Sequence, residues 1–176
     1  MTSDHILMFL DTETSSLPTL ALPAGDPGQP WMVAAAAELT DTEGNSIANF
    51  YSRVRADGRK IREDAQKIHG ISSLAAARSG IPEVVALGVL VHFASQANYA
   101  IGHGVVFDKE VIESLLIQRG KSKDLWSRPG LEWICTMRGA TPICKIPPKK
   151  PRDDGYYKWP TLDEACSMLL QDYKER

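Results

Sequence analysis

Apolar runs separated by turn-forming residues predict three strands in the N-terminal part of the chain. Ile6 to Leu10 is a continuous apolar run followed by polar residues, a pattern typical of a strand buried on both faces of a sheet. After a loop rich in proline and glycine, Trp31 to Leu39 is compatible with a second strand. Asp41 to Asn45 then predicts a hairpin turn into Ser46 to Val54, where polar and apolar positions alternate. We therefore expect an antiparallel three-stranded meander.

The rest of the chain alternates helical patterns with short strand patterns. The clearest helix is Asp108 to Arg119, whose apolar residues fall on one side and which Gly120 ends. Tyr99 to Ile101 and Glu132 to Cys135 are strand candidates. The other predicted helices are 61–68, 73–78, 81–94 and 161–170, the last one capped by Thr161. The order predicts an α/β fold with a mixed five-stranded sheet, the meander plus two parallel strands, flanked by helices.

Two acidic residues follow the first apolar run. Asp11 and Glu13 are two positions apart, so in a strand their side chains project from the same face. Neighbouring carboxylates repel each other, and a divalent cation between them would keep both ionised. Their hard oxygen atoms suit Mg²⁺ or Mn²⁺. The alternative is that the strand simply ends there and both acids face water. The spacing alone leaves both interpretations open.

A third acidic residue, Asp108, opens the clearest helix. An aspartate in a first helical turn is favoured by the helix dipole, an effect of roughly 0.3–1 kcal/mol that needs no further function. The functional alternative is that the helix begins beside the first strand and that Asp108 joins Asp11 and Glu13 at a metal. Spacing does not decide between these two roles either.

Composition narrows the class of protein. The length of 176 residues suits one domain over 1–176, with 43% apolar and 24% charged residues. The formal net charge of −2 gives no overall attraction to nucleic acid, so any such binding must be local. The chain has neither a basic leader nor an apolar run of membrane-spanning length. We expect a cytoplasmic protein without membrane association, and the sequence does not fix its oligomeric state.

A basic loop from Lys145 to Lys158 provides one local nucleic-acid candidate. Lysines and arginines interleaved with aromatic residues suit the backbone and bases of a single strand. The alternative is a solvated loop whose aromatic side chains pack onto the core. The basic residues are Lys145, Lys149, Lys150, Arg152 and Lys158, and the aromatic ones are Tyr156, Tyr157 and Trp159.

Five segments, in matching order, resemble landmarks of one enzyme family. They are Phe9 to Thr14 with Leu17, Lys67 to Ser72 (an "IHGI" segment), Ile101 to Asp108 (a variant of HNxxFD), Trp133 to Met137, and Tyr157 to Leu162. The chain resembles the 3′→5′ exonucleases of the DnaQ-like (DEDD) proofreading superfamily, a ribonuclease H-like group with four acidic site residues. Their order, which spans most of the chain, makes a chance resemblance improbable.

The resemblance implies a ribonuclease H-like fold and two-metal hydrolysis of phosphodiesters with Mg²⁺ or Mn²⁺. Asp11 would contact both metals, Glu13 one of them and Asp108 the other. The substrate would be the 3′ end of single-stranded DNA or RNA, and a DNA polymerase subunit is a candidate partner. Phe107 would stack on a base or pack into the core. The substrate-binding residues would be Thr12, Thr14, Leu17, His69, His103 and Phe107.

Two departures from the family pattern change the expected activity. Gly104 replaces the asparagine that usually follows the motif histidine, and no histidine follows His103. The third motif, with its general-base histidine and final aspartate, is therefore missing. Asp163 and Asp172 could substitute, but each is more typical of a solvated helix acid. We expect a chain truncated before this motif or a natural variant, with one weak metal and slow catalysis. The alternative is an inactive module of the same fold that binds nucleic acid or a polymerase.

Overall fold

The computed structural model describes residues 5–19, 21–150 and 155–170, so Arg152 and Asp172 lie outside the described residues. A five-stranded sheet forms its centre, with strands β1 (Leu7–Thr14), β2 (Met32–Thr40), β3 (Ser46–Arg53), β4 (Tyr99–Gly102) and β5 (Glu132–Cys135). The strand order is β3-β2-β1-β4-β5. β1 to β3 pair antiparallel, whereas β4 pairs parallel with both β1 and β5. The predicted meander and the two parallel strands are confirmed.

Six α-helices lie in the described part of the chain. They are α1 (Glu63–His69), α2 (Ser73–Ser79), α3 (Glu83–Gln96), α4 (Val106–Gln118), α5 (Thr136–Cys144) and α6 (Leu162–Leu169). The sequence did not predict α5, because Gly139 and Pro142 interrupt its pattern. The predicted cap of α6 is confirmed, since the Thr161 hydroxyl accepts from the Glu164 amide. None of the described helices has the length and apolar content needed to cross a membrane.

One face of β1 packs into the core and the other stays open. Met8 is fully buried and Leu10 nearly so, in one cluster with side chains of α3 and α4 such as Leu90 and Ile112. Phe9, which points to the opposite face, is 42% exposed. The prediction that β1 is buried on both faces is therefore wrong. Side chains alternate along a strand, and the core contacts only the even-numbered set.

A buried carboxylate ties three parts of the fold together. Glu83, in the first turn of α3, is 3% exposed. It accepts hydrogen bonds from Arg59, after β3, at 2.8 Å, and from Arg119, after α4, at 2.5 Å. The Arg59 guanidinium also lies 4.4 Å from the centre of the Trp31 ring. Because both partners are cations, the charge of Glu83 is compensated inside the fold.

Candidate active site

Asp11 and Glu13 lie on the open face of β1. Their register partners on β2 are Ala36 and Ala34, whose small side chains leave space beside both carboxylates. Asp11 is exposed and Glu13 half-buried, whereas Thr12 between them is buried. Neither carboxylate forms a hydrogen bond or ion pair with another described residue. The predicted same-face placement is present in the structure.

Asp108 reaches the same end of β1 from the first turn of α4. It is 4% exposed, and its Oδ1 accepts hydrogen bonds from the Thr12 amide at 2.9 Å and the Thr12 hydroxyl at 2.7 Å. A close approach of β4 to β1 makes this contact possible. A Cβ atom at Gly102, the last residue of β4, would lie 2.9 Å from the Leu10 carbonyl oxygen. Glycine therefore brings the start of α4 next to the acidic pair.

All three carboxyl groups are harder to ionise than free ones, because each loses part of its hydration. This partial desolvation, opposed by His103, raises the pKa of Asp11. Burial and the Asp11 charge raise the pKa of Glu13. The pKa of Asp108 rises to about 6, mainly through burial, with a further contribution from Asp11 and an opposing one from the Thr12 hydrogen bonds. Asp11 therefore interacts electrostatically with both other acids, as expected for a group between them.

The three acids have the oxygen atoms and the negative charge that suit a divalent cation, but their side chains are not arranged as a complete ligand set. Over residues 5–19, 21–150 and 155–170, no three His, Cys, Asp or Glu side chains are grouped so that they could hold a metal ion. One oxygen of Asp108 is committed to Thr12, which leaves Oδ2 for another ligand. Carboxylate oxygens without a partnering cation are the donors that Mg²⁺ and Mn²⁺ prefer. The convergence of Asp11, Glu13 and Asp108 on metal remains a prediction.

A pocket of about 220 Å³ beside Glu13 collects five of the six predicted substrate-binding residues. Leu17 and Ile68 are 78% and 84% exposed at this pocket, an unusual state for large aliphatic side chains. Phe107 lines it while its other side packs against the core, so both roles considered for this ring are compatible. The five are Thr12, Thr14, Leu17, His69 and Phe107.

His69 is held in one tautomer by the backbone. Its Nδ1 accepts from the Ile71 amide at 3.0 Å, so in the neutral ring the proton is on Nε2. Burial lowers the pKa of His69, and the nearby Thr14 backbone opposes this effect. Nε2 is nevertheless buried without a partner in hydrogen-bond geometry among the described residues. The ring therefore presents a donor, not a base, between Glu13 and the pocket.

His103, the sixth predicted substrate residue, lies in a different groove, which it shares with Asp11. Its Nε2 donates to the Pro160 carbonyl at 2.9 Å, and its Nδ1 lies 3.1 Å from the Thr136 hydroxyl. Both nitrogens thus tie the sheet to α5 and α6. Gly104, which stands where the motif that the sequence resembles has an asparagine, has φ = +90°, a conformation that favours glycine.

The basic loop is only partly described. Lys158 pairs with Glu164 at the start of α6. Tyr156, Tyr157 and Trp159 are 42%, 39% and 52% exposed, so these rings are not packed into the core. Their contact with nucleic acid remains a prediction.

The raised pKa of Asp108 predicts that Asp108→Asn stabilises the fold in a pH-dependent way. The pKa of this carboxyl group is 3.8 in the unfolded chain and about 6 in the folded one. The contribution of the protonated group to folding stability is therefore complete below the first value and is lost as the pH rises through the second. Asn keeps an oxygen for Thr12 but carries no charge. In EDTA, urea denaturation should show no stability gap near pH 3.5 and a gain of about 2 to 3 kcal/mol at pH 8. A gap independent of pH would contradict this prediction.

Residues that the sequence did not single out also line the site. Tyr51 and Arg53 on β3 face Asp11 and Glu13 across β2, and Ile68 on α1 faces Leu17 across the pocket. The available signal was the alternation of β3 together with the hairpin register, which places odd positions of β1 and β3 on one face.

Comparisons with known proteins identify the fold. No family model and no curated protein sequence matches the chain. Among solved structures, E. coli exonuclease I in complex with a 5cy-dA13 oligonucleotide is similar at 20% identity and a TM-score of 0.72, over 93% of this chain and 35% of that one. A product-bound exonuclease I is 21% identical, with a TM-score of 0.72, over 94% and 38%. A complex of ExoI with SSB-Ct is 20% identical, with a TM-score of 0.68, over 86% and 33%.

The chain therefore spans about a third of the length of these structures. At this level of identity the similarity establishes architecture, not activity. The described chain has the mixed five-stranded sheet and flanking helices of the ribonuclease H-like fold of exonuclease I.

Proposed function

We propose that this chain is a divalent-metal-dependent 3′→5′ exonuclease domain that removes nucleotides from the ends of single-stranded DNA or RNA. The observation that carries the proposal is the position of Glu13, which lies next to Asp11 and also lines the pocket formed by the exposed Leu17 and Ile68 and the half-buried Phe107. The similar structures include complexes of exonuclease I with oligonucleotides, which supports a single-stranded substrate. The comparisons give no support to a polymerase partner, and the proposal includes none.

The pocket would hold the terminal nucleotide and the acids would act on its phosphodiester. A base between Leu17, Ile68 and Phe107 gains apolar contact, and stacking on an aromatic ring contributes about 1–3 kcal/mol. The linkage then lies beside Asp11 and Glu13. A divalent cation held by Asp11 with Glu13 or Asp108 would supply charge stabilisation and an activated water. The Thr12 hydrogen bonds keep the Asp108 carboxylate fixed in place.

Slow turnover is part of this proposal. A histidine that acts as general base needs a free acceptor nitrogen within reach of the attacking water. His69 uses Nδ1 to accept from Ile71, and both ring nitrogens of His103 contact protein atoms. Neither ring offers such a nitrogen, so neither histidine would take the proton from the attacking water. These contacts support the slow turnover included in the proposal.

A second candidate is a module of the same fold that binds single strands without cutting them. The observation that favours it is the absence, within the described ranges, of three metal-ligating side chains already grouped. A module of this kind would still use the pocket formed by Leu17, Ile68 and Phe107.

A 5′-labelled oligonucleotide separates the two candidates. With excess Mn²⁺, the exonuclease should produce a ladder that shortens from the 3′ end, and a phosphorothioate at the last linkage should delay its first step. Both DNA and RNA versions should be run. Binding without shortening would favour the second candidate, whereas the absence of both binding and shortening would contradict both.

A further inference from the structure

A trough on the open face of the sheet contains two buried donors that lack a partner in hydrogen-bond geometry, although the Thr14 backbone lies close enough to His69 to act on its pKa. The trough has a volume of about 220 Å³, lies on the β3 side of the acidic pair and adjoins the nucleotide pocket, with which it shares Glu13 and His69. Only three buried side-chain nitrogen or oxygen atoms of the described residues lack a hydrogen-bond partner, and two of them, Arg53 Nε and His69 Nε2, belong to residues that line this trough. A buried unsatisfied donor is costly, which points to an acceptor from outside the protein.

Strand register gives the trough its shape. Glu13 pairs with Ala34, which pairs with Arg53, and in the next row Asp11 pairs with Ala36, which pairs with Tyr51. The acids therefore form one wall, the alanines the floor, and Tyr51 and Arg53 the opposite wall. Strands lie roughly 4.8 Å apart, so the two walls are separated by about 10 Å of backbone.

Arg53 is not neutralised by the acids it faces. No ion pair joins it to Asp11 or Glu13 among the described residues, and there its guanidinium donates one hydrogen bond, from Nη1 to the Ser79 hydroxyl at 3.1 Å. Strand β2 lies between the two walls, and its Ala34 and Ala36 side chains are too short to bridge them. Anionic oxygens are the natural acceptors for a guanidinium with unused donors. Tyr51, 67% exposed beside it, offers a ring face to a flat ligand.

We propose that this trough binds one internal phosphodiester of the single strand, with Arg53 as its main donor, His69 Nε2 as a second donor and Tyr51 as a stacking surface for the adjoining base. The inference rests on the proposed function and adds a path for the nucleic acid. The single-stranded chain would run from the nucleotide pocket, past Glu13, and across Ala34 and Ala36 toward β3. Neither the sequence motifs nor the fold comparison assigns a role to Tyr51 or Arg53.

The test is the salt dependence of binding, measured by fluorescence anisotropy with a labelled oligothymidylate in Ca²⁺ buffer, after checking that the oligonucleotide stays intact. Each phosphate contact with a single strand contributes about 0.7 to the slope of log K against log salt. Arg53→Met should reduce the slope by about 0.7. Arg55→Met, which removes an exposed arginine paired with Asp57, should not change it. Ser79→Ala, which removes only the hydroxyl partner of Arg53, should also keep the slope.

Two further measurements locate the contact. One neutral methylphosphonate, scanned along the strand, should weaken wild-type binding at one internal position and have no added effect there in Arg53→Met. Tyr51→Ala should weaken binding about fivefold to a hundredfold, while Tyr51→Phe stays near wild type. An unchanged slope in a folded Arg53→Met would overturn the inference and leave the proposed function intact. The same holds if each methylphosphonate weakens binding by Arg53→Met as much as it weakens binding by the wild type. Absence of any wild-type binding would overturn both.

Discussion

Asp11→Asn should lower the rate of stepwise shortening by about a thousandfold or more. Asp11 is the acid whose charge acts on both Glu13 and Asp108, so its loss removes the group shared by the whole cluster. Charge stabilisation at a phosphodiester is worth several kcal/mol, and each 1.36 kcal/mol changes a rate tenfold. The measurement is the single-turnover rate on a 5′-labelled single strand with Mn²⁺.

The control for this variant is Glu43→Gln, in the exposed hairpin turn between β2 and β3. It removes the same formal charge far from the acidic cluster, so its rate should equal that of the wild type. Oligonucleotide binding by Asp11→Asn should persist, because the nucleotide pocket is built from other residues. A wild-type rate in Asp11→Asn would show that this carboxylate is not part of the reaction.

Glu83→Ala should destabilise the fold by about 3 to 5 kcal/mol, the usual cost of removing one partner from a buried charge network. The alanine variant leaves Arg59 and Arg119 facing each other without their shared carboxylate. It also releases the link between α3 and the end of α4. Urea denaturation at neutral pH measures the change in unfolding free energy.

An exposed ion pair provides the comparison. Asp57 pairs with Arg55, and both side chains are about half exposed, at 48% and 47%. Arg55→Ala should therefore cost at most about 1 kcal/mol. If Glu83→Ala and Arg55→Ala had equal effects, burial of Glu83 would not be the source of its importance.

Local signals in the sequence predict most of the secondary structure. The strand Glu132–Cys135 has the predicted bounds, and the cap at Thr161 follows from a hydroxyl three residues before a glutamate. Helix α5 was missed because Gly139 and Pro142 are unfavourable in a helix, while its packing against α6 outweighs that preference. The open face of β1 was also missed. An apolar run shows that a strand is suited to burial but not what covers its second face.

In the candidate site, too, short-range features could be predicted from the sequence and long-range contacts could not. The common face of Asp11 and Glu13 follows from strand periodicity, a short-range property. The contact between Asp108 and Thr12 joins residues 96 positions apart and depends on the close approach at Gly102. Only the resemblance to a family suggested this association in the sequence. Tyr51 and Arg53 were not singled out, because their position on the same face as the acids depends on register across three strands.

The central claim is that Asp11, Glu13 and Asp108 together bind a divalent cation. Titration with Mn²⁺, followed by calorimetry and by electron paramagnetic resonance, tests it most directly, with and without a phosphorothioate-terminated oligonucleotide. The account predicts saturable binding to the wild type that Asp11→Asn abolishes, that Glu13→Gln and Asp108→Asn each weaken, and that Glu43→Gln leaves unchanged. Wild-type protein that binds no Mn²⁺ under either condition, or binding that all three site variants retain, would contradict the account.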